Sequence, residues 1–390
     1  MTGDTLPVQL NGNRSQPMGG VVPPTAISPA IPIESQNKIT NDIPPRFQWN
    51  HHGGYCGEVS LISAGLYYGQ YVSQYTARCA GSGITTNSQC ICCSDQSNQV
   101  LLGANNMSKA AVAAGNMHLN YVVFPTEYNS QGTRDLLSWV KAYVLNGYPV
   151  AIGLYENQYL FYGDTNRHAG DPEYDHIVPV YGIESSDSAP PPLPPPFLTY
   201  VGTDKIYFSD NGLWGPVNDP VNPPNLPNPA DPYTFSSTFD NFQATREEAN
   251  SPDGMQYSLA KSSASVGTYG IAITGIVDLD GFTIPIRVKT NVNYEFPQID
   301  KHSNSQPSSM PITLTVIVGN SLKPLNPLLN YNVYQYNQLS NVPNSMFNAN
   351  AGNASHTFPI PSGTGPTYTF TVNIDSSDVA VFRAVPTTAP

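Results

Sequence analysis

Helical periodicity stops at about Thr283. Beyond it the chain offers only short β-branched and aromatic runs, Ile284–Val292, Ile312–Val318, Tyr331–Tyr336, Tyr368–Ile374 and Val379–Val385, parted by turn residues. Runs of this length and spacing predict a small all-β sandwich over residues 281–390. Upstream, from Phe47 to about Ile276, helical and strand signals alternate instead. Cys56–Gly69, Ser108–Ala114 and Thr133–Asn146 read as helices, with Ser108 as an N-cap and Gly147 as a stop. Pro149–Leu154, His176–Ile183, Lys205–Ser209 and Tyr269–Ile276 read as strands. The segments Ala189–Pro196 and Asn218–Asp231 are punctuated by proline and read as surface loops. Residues 1–44 are rich in Pro, Asn, Ser and Gly without apolar periodicity, and read as a flexible or surface-draped extension. The fold class is therefore α+β, in three parts: the extension 1–44, a mixed domain 45–280 and a β-sandwich 281–390.

Charge narrows the function. A net charge of -12 lacks the basic stripe that nucleic-acid phosphates require. No apolar stretch is long enough to span a bilayer. Only 11% of the residues are charged, while proline (38) and tyrosine (24) abound, a profile of loop-rich exported proteins. No signal-peptide pattern opens the chain, so the expected secreted or vesicular location leans on composition and on the cysteines. Cys79, Cys90, Cys92 and Cys93 cluster and leave Cys56 as the odd one. An even set suits two disulfides, which fit better here than a four-sulfur zinc site, because adjacent Cys92 and Cys93 chelate poorly. A direct Cys92–Cys93 bridge would be strained, so Cys79–Cys92 with Cys90–Cys93, or Cys79–Cys93 with Cys90–Cys92, are the expected pairings.

Cys56 opens a helical run and follows the glycine-bearing loop Gln48–Tyr55. A thiol at a helix N-terminus meets unpaired backbone N–H groups and the positive end of the helix dipole, which favour the nucleophilic thiolate. A lone cysteine is more often a small buried hydrophobe, so the chemistry depends on partners. Of the seven histidines, His51 and His52 share the loop before Cys56, His118 follows a helix, His168 sits in a polar turn, and His302 and His356 fall in or near the β-rich tail. His176 differs: it opens an apolar strand, which would fix its ring at the mouth of a sheet. Asp210 closes another strand, with Asn211 beside it, and a carboxylate there can hold the imidazole in one tautomer.

The order of these segments resembles the papain-like cysteine peptidase superfamily over roughly residues 45–276. Asp175–Gly182 is similar to the histidine strand of papain, and Phe208–Gly215 to the segment carrying the orienting residue, with alternation favouring Asp210 over Asn211. The Cys56-Gly57 context looks more like the peptidases that process double-glycine leaders and bacteriocins. The resemblance implies a papain-like fold, its helical half carrying the nucleophile and its antiparallel β half carrying His and Asp. It implies Cys56 as nucleophile, His176 as base, Asp210 as orienting residue and no cofactor. It also implies a glutamine donor for the oxyanion. Gln48 stands eight positions before Cys56, farther than the family's pattern, and Asn50 six; Gln48 is favoured. Peptide or protein is the expected substrate. A transpeptidase or amidase would use the same groups, and a non-enzymatic surface protein on this scaffold is the alternative of another class. The sandwich would serve a glycan or protein partner, or only pack on its neighbour.

Overall fold

A computed structural model of the chain describes residues 38–44, 46, 48, 54–83, 96–125, 132–185, 193, 200–210, 234–261, 268–292 and 309–389. The described residues form a mixed α+β protein whose sheets are mostly antiparallel and whose helices are few. The first part runs β1 (Lys38–Thr40), α1 (Cys56–Tyr67), β2 (Gln70–Val72), α2 (Gln74–Gly81), α3 (Lys109–Asn116) and β3 (Leu119–Val123). Next come α4 (Thr133–Leu145), β4 (Val150–Glu156), α5 (Gln158–Tyr162), β5 (His176–Glu184), β6 (Lys205–Ser209) and β7 (Thr234–Thr238). Then follow β8 (Gln243–Ala244), α6 (Arg246–Ala249), β9 (Tyr257–Ala260) and β10 (Gly270–Ile276). The remainder is strand: β11 (Ile286–Thr290), β12 (Pro311–Val318), β13 (Tyr331–Tyr336), β14 (His356–Ile360), β15 (Tyr368–Asp375) and β16 (Val379–Pro386).

The three expected helices form, and α3 starts on a capping serine. Ser108 Oγ accepts the Ala111 N–H at the start of α3. In α4 the apolar residues Leu136, Leu137, Val140 and Val144 recur at helical spacing and are all buried. The main sheet is ordered β3-β10-β4-β5-β6-β7, with β1 on β5 and β9 on β4. Side chains alternate between its faces. Val178 and Leu154 pack in one cluster with α4, whereas Ile177 and Ala151 join another with α1 and α3. Covering both faces explains why β4 and most of β5 are buried runs without polar alternation.

Among the elements that the sequence reading did not include, two join distant parts of the chain. Lys38–Thr40, placed in the extension, pairs antiparallel with Gly182–Glu184 of β5. β2, directly after α1, pairs with Val379–Val381 of β16 and becomes the fourth strand of a sandwich sheet ordered β14-β13-β16-β2. The opposing sheet is β11-β12-β15. A single apolar cluster runs from Leu61, Ile62 and Leu66 of α1 into Val316, Val333 and Val381 of the sandwich. Among the described residues no helix is long and apolar enough to cross a membrane.

Candidate active site

The site lies where α1 begins and β5 begins. Tyr55 precedes α1, and its side chain makes no capping hydrogen bond to the helix. Gly57 explains the Cys-Gly pair: a Cβ there would stand 1.9 Å from the Val100 carbonyl oxygen. Helix and loop approach so closely that only glycine fits. Ser60 Oγ donates to the Cys56 carbonyl at 2.8 Å and lies 3.3 Å from the carbonyl of Ile177, tying the helix to β5 one residue past His176.

His176 is 2% exposed and sits opposite Leu154 in the β4–β5 register. Its Nε2 donates to Asp210 Oδ1 at 2.8 Å, and Asp210 Oδ2 accepts the Tyr257 hydroxyl at 2.6 Å. The Cys56 side chain is hydrogen-bonded to the imidazole. With Nε2 engaged by Asp210, Nδ1 is the nitrogen left to meet it. Nδ1 also lies 3.8 Å from Glu156 Oε1. Burial alone would strip the ring of its proton; hydrogen bonds with Asp210 and Cys56 and the charges of Asp210 and Glu156 outweigh it and hold His176 well above the ordinary imidazole range. The structure thus brings Cys56, His176 and Asp210 into one hydrogen-bonded chain. Strand alternation does this: His176, Val178 and Val180 share a face, Val180 pairs with Phe208, and Asp210 lies two residues farther along.

Gln48 reaches the same place despite its distance in sequence. Its Oε1 accepts the Tyr55 N–H at 3.1 Å, and its carboxamide lies over Gly54, whose φ is +90°. A backbone N–H requires an acceptor, so the carbonyl end of the amide faces Tyr55, the residue before Cys56, and Nε2 is its donating end. Asn50, Asn211 and Trp214 lie outside the described residues, as do His51, His52 and His302. Cys79 is buried in α2, while Cys90, Cys92 and Cys93 are outside the described residues, and the expected disulfides with them. His118 serves the architecture instead, its ring nitrogens 2.9 Å from Asn344 Oδ1 and 2.8 Å from the Leu339 carbonyl.

Sequence reasoning missed four contributing residues. Glu156 falls just past the expected end of its strand; one more step of alternation from Leu154 would have put it on the His176 face. Tyr257 belongs to β9, for which no strand was read. Arg78 and Glu58 form a buried pair at 2.6 Å, Glu58 standing two residues after Cys56. Arg78 also donates to the Gly54 carbonyl and lies 3.5 Å over the Tyr55 ring, holding the loop that presents Gln48. Burial pushes the Glu58 carboxyl up, against the pull of the Arg78 charge. An open cleft of about 310 Å³ leads to the thiol, with Gly54, Cys56, Gly57, Val100, Leu101 and Tyr174 among its lining.

No family model matches the chain, and neither does any curated protein or solved structure. Function has to be argued from the site itself.

Proposed function

We propose that the protein is a papain-like cysteine peptidase that hydrolyses peptide bonds through a Cys56–His176–Asp210 triad. The observation that carries the reading is the buried chain from Cys56 to the His176 ring and from Nε2 to Asp210, formed by a helix start and two strand ends. It supplies a nucleophile, a base and a group orienting the base, with Cys56 lining a cleft and His176 and Asp210 buried behind it.

The steps follow from those positions. Cys56 attacks the scissile carbonyl as a thiolate while His176 holds the proton. The carbonyl oxygen takes the negative charge and is met by the Cys56 N–H and the Gln48 Nε2 amide. As the tetrahedral intermediate collapses, His176 gives its proton to the leaving amine and a thioester remains on Cys56. Neutral His176 then takes a proton from water, whose oxygen displaces the thiolate and releases the carboxylic acid. Asp210, fixed by Tyr257, keeps the ring in one tautomer throughout.

The test is labelling with a thiol-reactive epoxide at neutral pH. Cys56 should react at least about tenfold faster than a simple thiol, and His176→Ala should abolish that excess. Equal rates in both variants would remove the enzyme reading. A peptide library should then yield shortened products; joined products would make the protein a transpeptidase of the same chemistry.

A further inference from the structure

We propose that Glu156 is a second positioning carboxylate for His176, holding the imidazole from its Nδ1 side as Asp210 holds it from Nε2. The proposal rests on the base role given to His176 above. Glu156 Oε1 lies 3.8 Å from Nδ1, and Asp210 Oδ1 lies 2.8 Å from Nε2, so two carboxylates flank one ring. Their placement comes from the strands. Leu154 faces His176 across β4 and β5, and Glu156 lies two residues farther on the same face. Tyr257 pairs with Glu156 across β4 and β9, stacks its ring 6.4 Å from that of His176, and donates to Asp210. The imidazole is therefore enclosed by a carboxylate at each nitrogen and a tyrosine over its plane.

A buried carboxylate is costly unless another charge meets it. The neighbouring acid, Asp175, is engaged by Arg246 at 2.7 Å, and Arg246 gives Glu156 only a long contact at its backbone carbonyl. The Glu156 side chain instead accepts the Tyr162 hydroxyl at 3.1 Å and otherwise faces His176. Burial pushes its carboxyl up, and the His176 charge pulls it down. Each group thus stabilises the charged form of the other. The groups acting on the ring are Cys56 from α1, Glu156 from β4, Asp210 after β6 and Tyr257 from β9, with Tyr162 of α5 acting through Glu156 and Asp175 paired away. Removing the Glu156 charge lets His176 lose its proton at lower pH, and with it the proton needed by the leaving amine.

The experiment compares the full-length chain with Glu156→Gln and Tyr162→Phe, reading kcat/KM against pH and the His176 ring titration by NMR. For Glu156→Gln, kcat/KM at about pH 9 should fall roughly tenfold against the unaltered chain, and at about pH 6 stay within about twofold. The ring titration should move to lower pH with it. Tyr162→Phe should shift both in the same direction by less, because the lost hydrogen bond favours protonated Glu156. Tyr162 is 55% exposed, so this variant keeps the proposal testable even if Glu156→Gln does not fold. An unmoved alkaline limb and ring titration in the folded variants would overturn the proposal while leaving the peptidase reading intact. If the unaltered chain cleaves nothing, the peptidase reading fails, and the ring titration alone decides whether Glu156 holds His176.

Discussion

Gly57 shows how much one residue can carry. It follows Cys56, and its missing Cβ is what lets the Val100 carbonyl lie against the helix start. Val100 cannot retreat freely, because its N–H donates to Glu58 Oε1 at 3.2 Å. Gly57→Ala should therefore cost about 3 kcal/mol, the upper end for overpacking, since the obstacle is backbone. It should appear in urea denaturation as a lower midpoint with an unchanged slope. Epoxide labelling of Cys56 should slow even in the folded fraction. Much of the site was legible at this scale. Cys56 stood at a helix start, His176 at a strand start, and parity chose Asp210 over its neighbour. The need for Gly57 was not legible, because the atom it avoids lies 43 residues away in the chain.

Among elements, the start of α1 depends on α2. Arg78 of α2 is fully buried; it meets Glu58 at 2.6 Å, donates to the Gly54 carbonyl and lies over Tyr55. It thereby braces the loop on which Gln48 rests. Arg78→Met would leave the Glu58 carboxylate in the interior without its cation, and should destabilise the chain by about 3–5 kcal/mol. Adding Glu58→Gln removes the stranded charge and should restore about half of that loss in a denaturant titration. The Cys56 labelling rate should stay low in the double variant, because the Gly54 contact is still missing. Equal recovery of rate and stability would show that Arg78 serves only Glu58. Sequence gave less warning here. α4 announces itself through apolar spacing, whereas the short helix α2 buries Gln74, Thr76 and Arg78, polar residues that give no sign of an interior position until their partners are known.

For the whole molecule, the question is whether the mixed part and the sandwich are separable. The change of periodicity at Thr283 suggests a boundary, and β11, β12, β13, β15 and β16 follow it as read, while β14 lies where no run was read. The fourth strand of the sandwich comes from the other end of the chain. Tyr71 of β2 is buried opposite Ala380 and donates its hydroxyl to the Ser376 carbonyl at 2.8 Å, while the Gly69 carbonyl accepts the Phe382 N–H. Local pattern could not reveal this, because three residues make no periodicity and their partner lies some 300 positions on. Arg46 adds a second tie, donating to Thr290 Oγ1 at 2.7 Å and to the Val292 carbonyl. Removing residues 282–390 would expose Tyr71 and Val72, both fully buried, at roughly 3–6 kcal/mol together. It would also uncover α1 where that helix packs on β11. Such a loss approaches the whole stability of an ordinary domain, about 5–15 kcal/mol. The shortened chain should therefore lack a cooperative thermal transition and should label Cys56 no faster than a simple thiol. A soluble fragment with an unchanged labelling rate would show instead that the shared core is incidental, and that the nucleophile helix needs only its own sheet.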